Sequence, residues 1–182
     1  YLDSAFRFLQ LTDNNFTSYI QYYYLKNDSI GLINYVMSNE LDSSRYSNAD
    51  LAIAYSRMGE VFDRKNLSND AEVYFKKSVK LMPYVIDYKI KYGSFLVNNN
   101  QIDIAEQIFF DALNLNPTIK QTHLNLGLIA ILKGKFIIAE SRLKQALALD
   151  PDYILAYENL VLSAQMQNKN KDVKFYLNKI LE

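Results

Sequence analysis

The chain has 182 residues, 49% of them hydrophobic, and 20 basic residues balance 20 acidic ones to a formal net charge of zero. That length allows one domain or a short array with a buried core, and the charge balance argues against a general nucleic-acid binder, which shows a basic excess. There is no cysteine, so disulfides and thiolate metal sites are excluded, and localisation is left open because both reducing and oxidising compartments fit.

The chain begins with Tyr1 rather than Met and reads as a piece of a longer protein. Ala5 to Leu11 reads as the tail of a helix, with Thr12–Asp13–Asn14–Asn15 as its exit turn. Thr17 to Lys26 predicts a helix capped near Phe16 or Thr17. Within it Tyr19, Tyr22 and Tyr23 share one face at helical spacing, a core-packing pattern, while Tyr24 falls on another face. Asp28, a strong N-cap type, predicts a second helix from Ser29 to about Leu41. The polar stretch Leu41 to Asn48 reads as a loop. Residues 1–51 are thus either a degenerate repeat or an unrelated N-terminal helical cap.

From Ala52 onward the sequence repeats. Pro83, Pro117 and Pro151, the only prolines, are 34 residues apart, and Gly59, Gly93 and Gly127 keep the same period. So do Ala71, Ala105 and Ala139, and Leu81, Leu115 and Leu149. A fixed period of this size signals stacked supersecondary units. The units run 52–85, 86–119, 120–153 and 154–182, the last divergent and truncated. Each predicts a first helix (A) and a second helix (B). In the third unit Leu124, Leu126, Leu128, Ile131 and Leu132 fall in helix A, and Ile138, Ala139, Leu143, Ala146, Leu147 and Leu149 in helix B. Asn66, Asn100, Gly134 and Asn168 recur between the helices, where a left-handed residue ends helix A. The prolines follow helix B, where a missing N–H costs least. Small residues at Gly59, Ala71 and Ser78 and their equivalents let the two helices approach closely. No stretch alternates with period two, so no sheet is expected.

This pattern resembles the tetratricopeptide repeat (TPR). The third unit carries it best, through Asn125–Leu126–Gly127, Gly134, Phe136, Ala139, Leu143, Ala146 and Asp150–Pro151. The second matches through Tyr92–Gly93, Ile102, Ala105, Phe109, Ala112 and Asn116–Pro117, and the first through Tyr55, Met58–Gly59, Ala71, Phe75 and Pro83. The fourth keeps Ala156–Tyr157, Asn159–Leu160 and Leu177 but lacks the glycine, both alanines and the proline. The resemblance implies an all-α, right-handed superhelical solenoid of antiparallel helix pairs whose A helices line a concave groove.

It further implies a noncatalytic protein–protein interaction module that binds a peptide or helix of a partner in that groove. The alternative is a regulatory or scaffold arm of a larger enzyme or membrane-associated assembly, such as a glycosyltransferase or polysaccharide-assembly protein. The groove positions are Ile53, Ser56, Glu60, Asp63 and Arg64 in the first unit, and Asp87, Ile90, Ser94, Val97 and Asn98 in the second. In the third they are Gln121, Leu124, Leu128, Ile131 and Leu132, with Asn125 beside them. In the fourth they are Leu155, Glu158, Leu162, Gln165 and Met166, with Asn159. The groove is therefore polar at the first unit and apolar from the third, where Leu124, Leu128 and Ile131 form a stripe suited either to a peptide's apolar side chains or to burial against another part of the parent protein or a dimer mate. The basic set that family members use to clamp a C-terminal carboxylate is incomplete, since only Lys91, Asn125 and Asn159 offer donors at the relevant position.

Other residues read as structural. His123, the only histidine, occupies a helix-interface position and reads as packing. Asp70, Glu72, Asp103 and Glu106 fall near the starts of B helices, where the helix dipole favours them. No zinc ligand set, phosphate loop or nucleophile elbow is present, so neither metal nor cofactor is expected. No apolar run reaches the roughly 18 residues of a membrane span, so this segment is not expected to insert directly. Homo-oligomer contacts would fall on the terminal units.

Overall fold

The computed structural model describes residues 16–38 and 45–181. The helix tail at Ala5 to Leu11, its exit turn and most of the loop after Leu41 lie outside these residues. Ten helices and no strand occur among the described residues. They are α1 (Phe16–Leu25), α2 (Ser29–Ser38), α3 (Asn48–Arg64), α4 (Ser68–Leu81), α5 (Ile86–Asn98), α6 (Ile102–Leu115), α7 (Lys120–Leu132), α8 (Phe136–Leu149), α9 (Ile154–Met166) and α10 (Asn170–Leu181). The chain divides into two compact units, Tyr1–Phe95 and Leu96–Glu182.

One turn design closes every hairpin. Asn66, Asn100 and Asn168 hold φ of 58°, 59° and 57°, and Gly134 holds 68°. These are the two residue types that enter the left-handed region most easily. Immediately after each, an N–H reaches back into helix A: Leu67 to the carbonyl of Phe62, Gln101 to Leu96, Lys135 to Ala130 and Lys169 to Ala164, at 2.7–2.9 Å. This bond satisfies a carbonyl that the helix end leaves unpaired. Asn27, at φ 56°, does the same between α1 and α2, where the Asp28 N–H reaches the Tyr23 carbonyl at 2.9 Å. Asp28 also caps α2, its carboxylate accepting from the Gly31 N–H at 2.8 Å.

Helix α3 begins at Asn48, inside the stretch expected to be loop and ahead of the repeat's start at Ala52. The cause is a capping box: the Ser47 hydroxyl accepts from the Asp50 N–H, and the Asp50 carboxylate accepts from the Ser47 N–H. At the other end of each repeat, Pro83, Pro117 and Pro151 sit one residue beyond the last N–H that bonds into helix B. Those last bonds run from Met82, Asn116 and Asp150 to the carbonyls of Ser78, Ala112 and Ala146.

The small-residue positions are the hairpin cores. Ala71, Ala105 and Ala139 are fully buried, as are Ser78, Ala112 and Ala146. A methyl group on Gly59 would lie 2.8 Å from the Phe75 ring, and one on Gly127 2.8 Å from the Leu143 side chain. In the N-terminal unit the core gathers Ile20, Leu32, Val36, Ala54, Met58 and Val61. In the C-terminal unit it gathers Ala130, Ile131, Ala139, Leu143, Ala146, Ala156 and Leu160, so α8 is covered by both α7 and α9. Helix α8 thus buries its apolar face between its own A helix and the next one, which is why one hairpin does not suffice.

Candidate partner-binding faces

The helix-A faces of the two units differ in chemistry. In the N-terminal unit the face is polar and internally paired. Glu60 of α3 is the hub: Arg57 reaches it at 3.1 Å and Lys91 of α5 at 2.9 Å, while Lys91 also meets Asp87 at 3.2 Å. The Tyr24 hydroxyl of α1 donates to the same carboxylate. Burial pushes the Glu60 carboxyl up, but the hydrogen bonds from Tyr24 and Lys91 and the charges of Lys91 and Arg57 outweigh it and leave it below its ordinary value. Burial pulls Lys91 down, and the bond and charge of Glu60 more than reverse this. Arg57 also donates to Gln21 at 3.3 Å, and Arg57 and Arg64 stack over the Tyr24 ring at 4.1 and 4.9 Å. Ser56, expected on this face, is instead 2% exposed, and its hydroxyl is buried. Ile90 and Ser94, on α5, are half-buried.

In the C-terminal unit the face is apolar and open. Helices α7 and α9 pack side by side. Across them Leu128 is half-buried, Leu155 is 49% exposed and Leu162 is 40% exposed, with Gln121, Glu158 and Gln165 exposed among them. Val97 is half-buried and Asn98 exposed on α5. Two members of the expected stripe belong elsewhere. Ile131 is 1% exposed inside the hairpin core, and Leu124 packs against that core from its edge. The physical reason is rotation: Ile131 follows Ala130 on the side of α7 that meets α8 and α9.

Asn125 and Asn159 each donate one amide N–H to their own helix, to the carbonyls of Gln121 and Leu155 at 2.9 and 2.7 Å. His123 is 6% exposed and donates from Nε2 to the Pro117 carbonyl at 2.7 Å, which fixes the turn leading into α7. Asp103 and Glu106 clamp Lys133 at 2.6 Å each, tying the start of α6 to the end of α7. Lys120 pairs with Asp150 and lies over the Tyr153 ring at 4.5 Å. Among the described residues no His, Cys, Asp or Glu side chains cluster as a metal site, and no helix is long and apolar enough to cross a membrane.

No family model and no curated protein matches the chain. Solved structures do. One described as the crystal structure of MamA superposes with a TM-score of 0.72 at 21% identity, covering 87% of this chain and 90% of that one. PilW, described as a widely conserved type IV pilus biogenesis factor, gives a TM-score of 0.75 at 21% identity over 90% of this chain and 74% of that one. YrrB, described as a TPR protein with an unusual peptide-binding site, gives 0.67 at 19% identity over 98% of this chain and 91% of that one. The chain therefore has a TPR-like, all-α helical repeat solenoid fold. Because 228 solved chains match, the fold by itself does not select a partner.

Proposed function

We propose that this chain is a recognition module, without catalysis of its own, that holds an apolar peptide segment or helix of a partner protein on the α7–α9 face. The observation that supports it is the exposure of Leu155 and Leu162, with half-buried Leu128, on adjacent helices whose cores are already filled by other side chains. Apolar surface left open by a complete core marks a contact. The acceptor oxygens of Asn125 and Asn159 lie along the same two helices and would orient the bound backbone. The peptide-binding site in the description of YrrB is a feature of that protein, and it lends support to a peptide ligand here.

The test is capture of a partner with the whole chain as bait, followed by anisotropy titration with peptides from that partner. Leu128→Glu and Leu162→Glu should each weaken binding by roughly 1–3 kcal/mol while the helical circular dichroism signal stays unchanged. Binding that survives both changes would remove the face from consideration.

A further inference from the structure

The two helices of the α7–α9 face carry one charged residue each, Lys120 on α7 and Glu158 on α9. Lys120 is spent: it pairs with Asp150 and lies over the Tyr153 ring. Lys133, just beyond α7, is spent on Asp103 and Glu106. Glu158 is exposed, and among the described residues no cation or hydrogen-bond donor engages its carboxylate. The contrast is with Glu60, for which the chain itself supplies Arg57, Lys91 and Tyr24.

The position of Glu158 gives this free charge a consequence. Leu155, Glu158 and Leu162 follow one another at spacings of three and four residues, so they form one stripe along α9. Both leucines are exposed. They lie about 10 Å apart along the helix axis, and a ligand that covers both also covers the carboxylate between them. An ionised carboxylate taken out of water without a partner is heavily penalised. The polar companions on the face, Gln121 and Gln165, are exposed and neutral and bring no compensating positive charge. An uncharged ligand therefore fits this stripe poorly, and an acidic one worse. A lysine or arginine held between two apolar side chains matches the leucines and the carboxylate together. A helix laid along α9 has the same rise per residue, so apolar residues seven apart with a basic residue midway meet the stripe position for position.

Resting on the reading of this face as a peptide site, we propose that its ligand is an apolar–basic helical segment of a partner protein. The partner's ammonium or guanidinium group pairs with the Glu158 carboxylate. Its apolar side chains rest on Leu155 and Leu162, beside Leu128 of α7. The leucines supply the contact area, and Glu158 selects the charge.

The experiment uses the whole chain and three labelled helix-forming peptides that differ at one residue. Each carries two leucines seven residues apart, with lysine, glutamine or glutamate midway, and anisotropy is read at low and high salt. The lysine peptide should bind tightest, by roughly threefold or more over the glutamine peptide at low salt, and the glutamate peptide weakest. High salt should narrow these gaps. Glu158→Gln should bring the lysine and glutamine peptides to the same affinity without moving the thermal melt, because this side chain is exposed and makes no bond within the chain. Leu162→Ala should weaken all three peptides together. Equal binding of the three peptides, or a lysine preference that survives Glu158→Gln, overturns the basic ligand while leaving the face a peptide site. Binding by none of them, or binding that Leu162→Ala leaves untouched, removes the face itself and this proposal with it. A concentration-dependent dimer that Leu162→Ala dissolves also overturns it, by showing that a second copy covers the stripe.

Discussion

Gly59 and Phe75 show how one position sets another. An alanine at Gly59 gains about 1 kcal/mol of helix propensity. It also brings a methyl group to 2.8 Å from a ring that is 2% exposed and has nowhere to move, and overpacking of this kind costs roughly 1–3 kcal/mol. Gly59→Ala should therefore destabilise the fold by up to about 2 kcal/mol in chemical denaturation. Adding Phe75→Leu should recover part of that loss, and strictly additive effects would contradict the coupling. The pair α1–α2 displays the compensated solution. At the positions equivalent by their turns it buries Ile20 and Val36 instead of a glycine and a phenylalanine. The glycines, alanines and left-handed asparagines were legible because each answers a steric demand that few residue types meet. Ile131 was not, because α7 is apolar on every side from Leu124 to Leu132 and its periodicity does not say which side is covered. The start of α3 was written in Ser47 and Asp50, a short capping signal inside a polar stretch that reads as loop.

At the scale of elements, Glu60 joins three helices, α1 through Tyr24, α3 through Arg57 and α5 through Lys91. Its carboxyl is held below the ordinary value, so its contribution is present above the unfolded-state pKa and is lost as pH falls through the lower folded-state value. Lys91 is held above its ordinary value, so its contribution is present below the unfolded-state pKa and fades only as pH rises through the higher folded-state value. Glu60→Gln should cost about 1–2 kcal/mol at neutral pH and flatten the acid limb of stability against pH. An acid limb as steep as that of the parent would show that other carboxylates dominate. This network leaves Arg57, Glu60, Asp87 and Lys91 paired with one another. The same residues looked equally available in the sequence, because pairing across helices depends on stacking that no single repeat records.

Over the whole molecule, the repeats differ in how much they bury. Position by position, Phe75, Phe109 and Leu143 are buried, whereas their counterpart Leu177 is 43% exposed. Helix α10 buries no residue at all and leans on α9 through Tyr176 and Tyr157, whose rings are 6.5 Å apart. In a stacked array local stability follows the interfaces that each element shares with its neighbours. Amide hydrogen exchange should therefore be fastest in α10 and slowest in α7 and α8; uniform protection across all three would contradict this. The lost glycine and alanines of the last unit, replaced by Val161, Val173 and Ile180, were visible at once in the sequence. Their meaning was not, since the same changes suit a surface that another helix covers.

Each hairpin seals its own turn, with a left-handed residue and a backbone bond that owe nothing to the side chains displayed outside. A gene that copies or drops one such segment whole keeps every seal intact. Lineages can thus lengthen, shorten or reshuffle the array, and the side chains displayed outside one copy can change while the others go on folding as before.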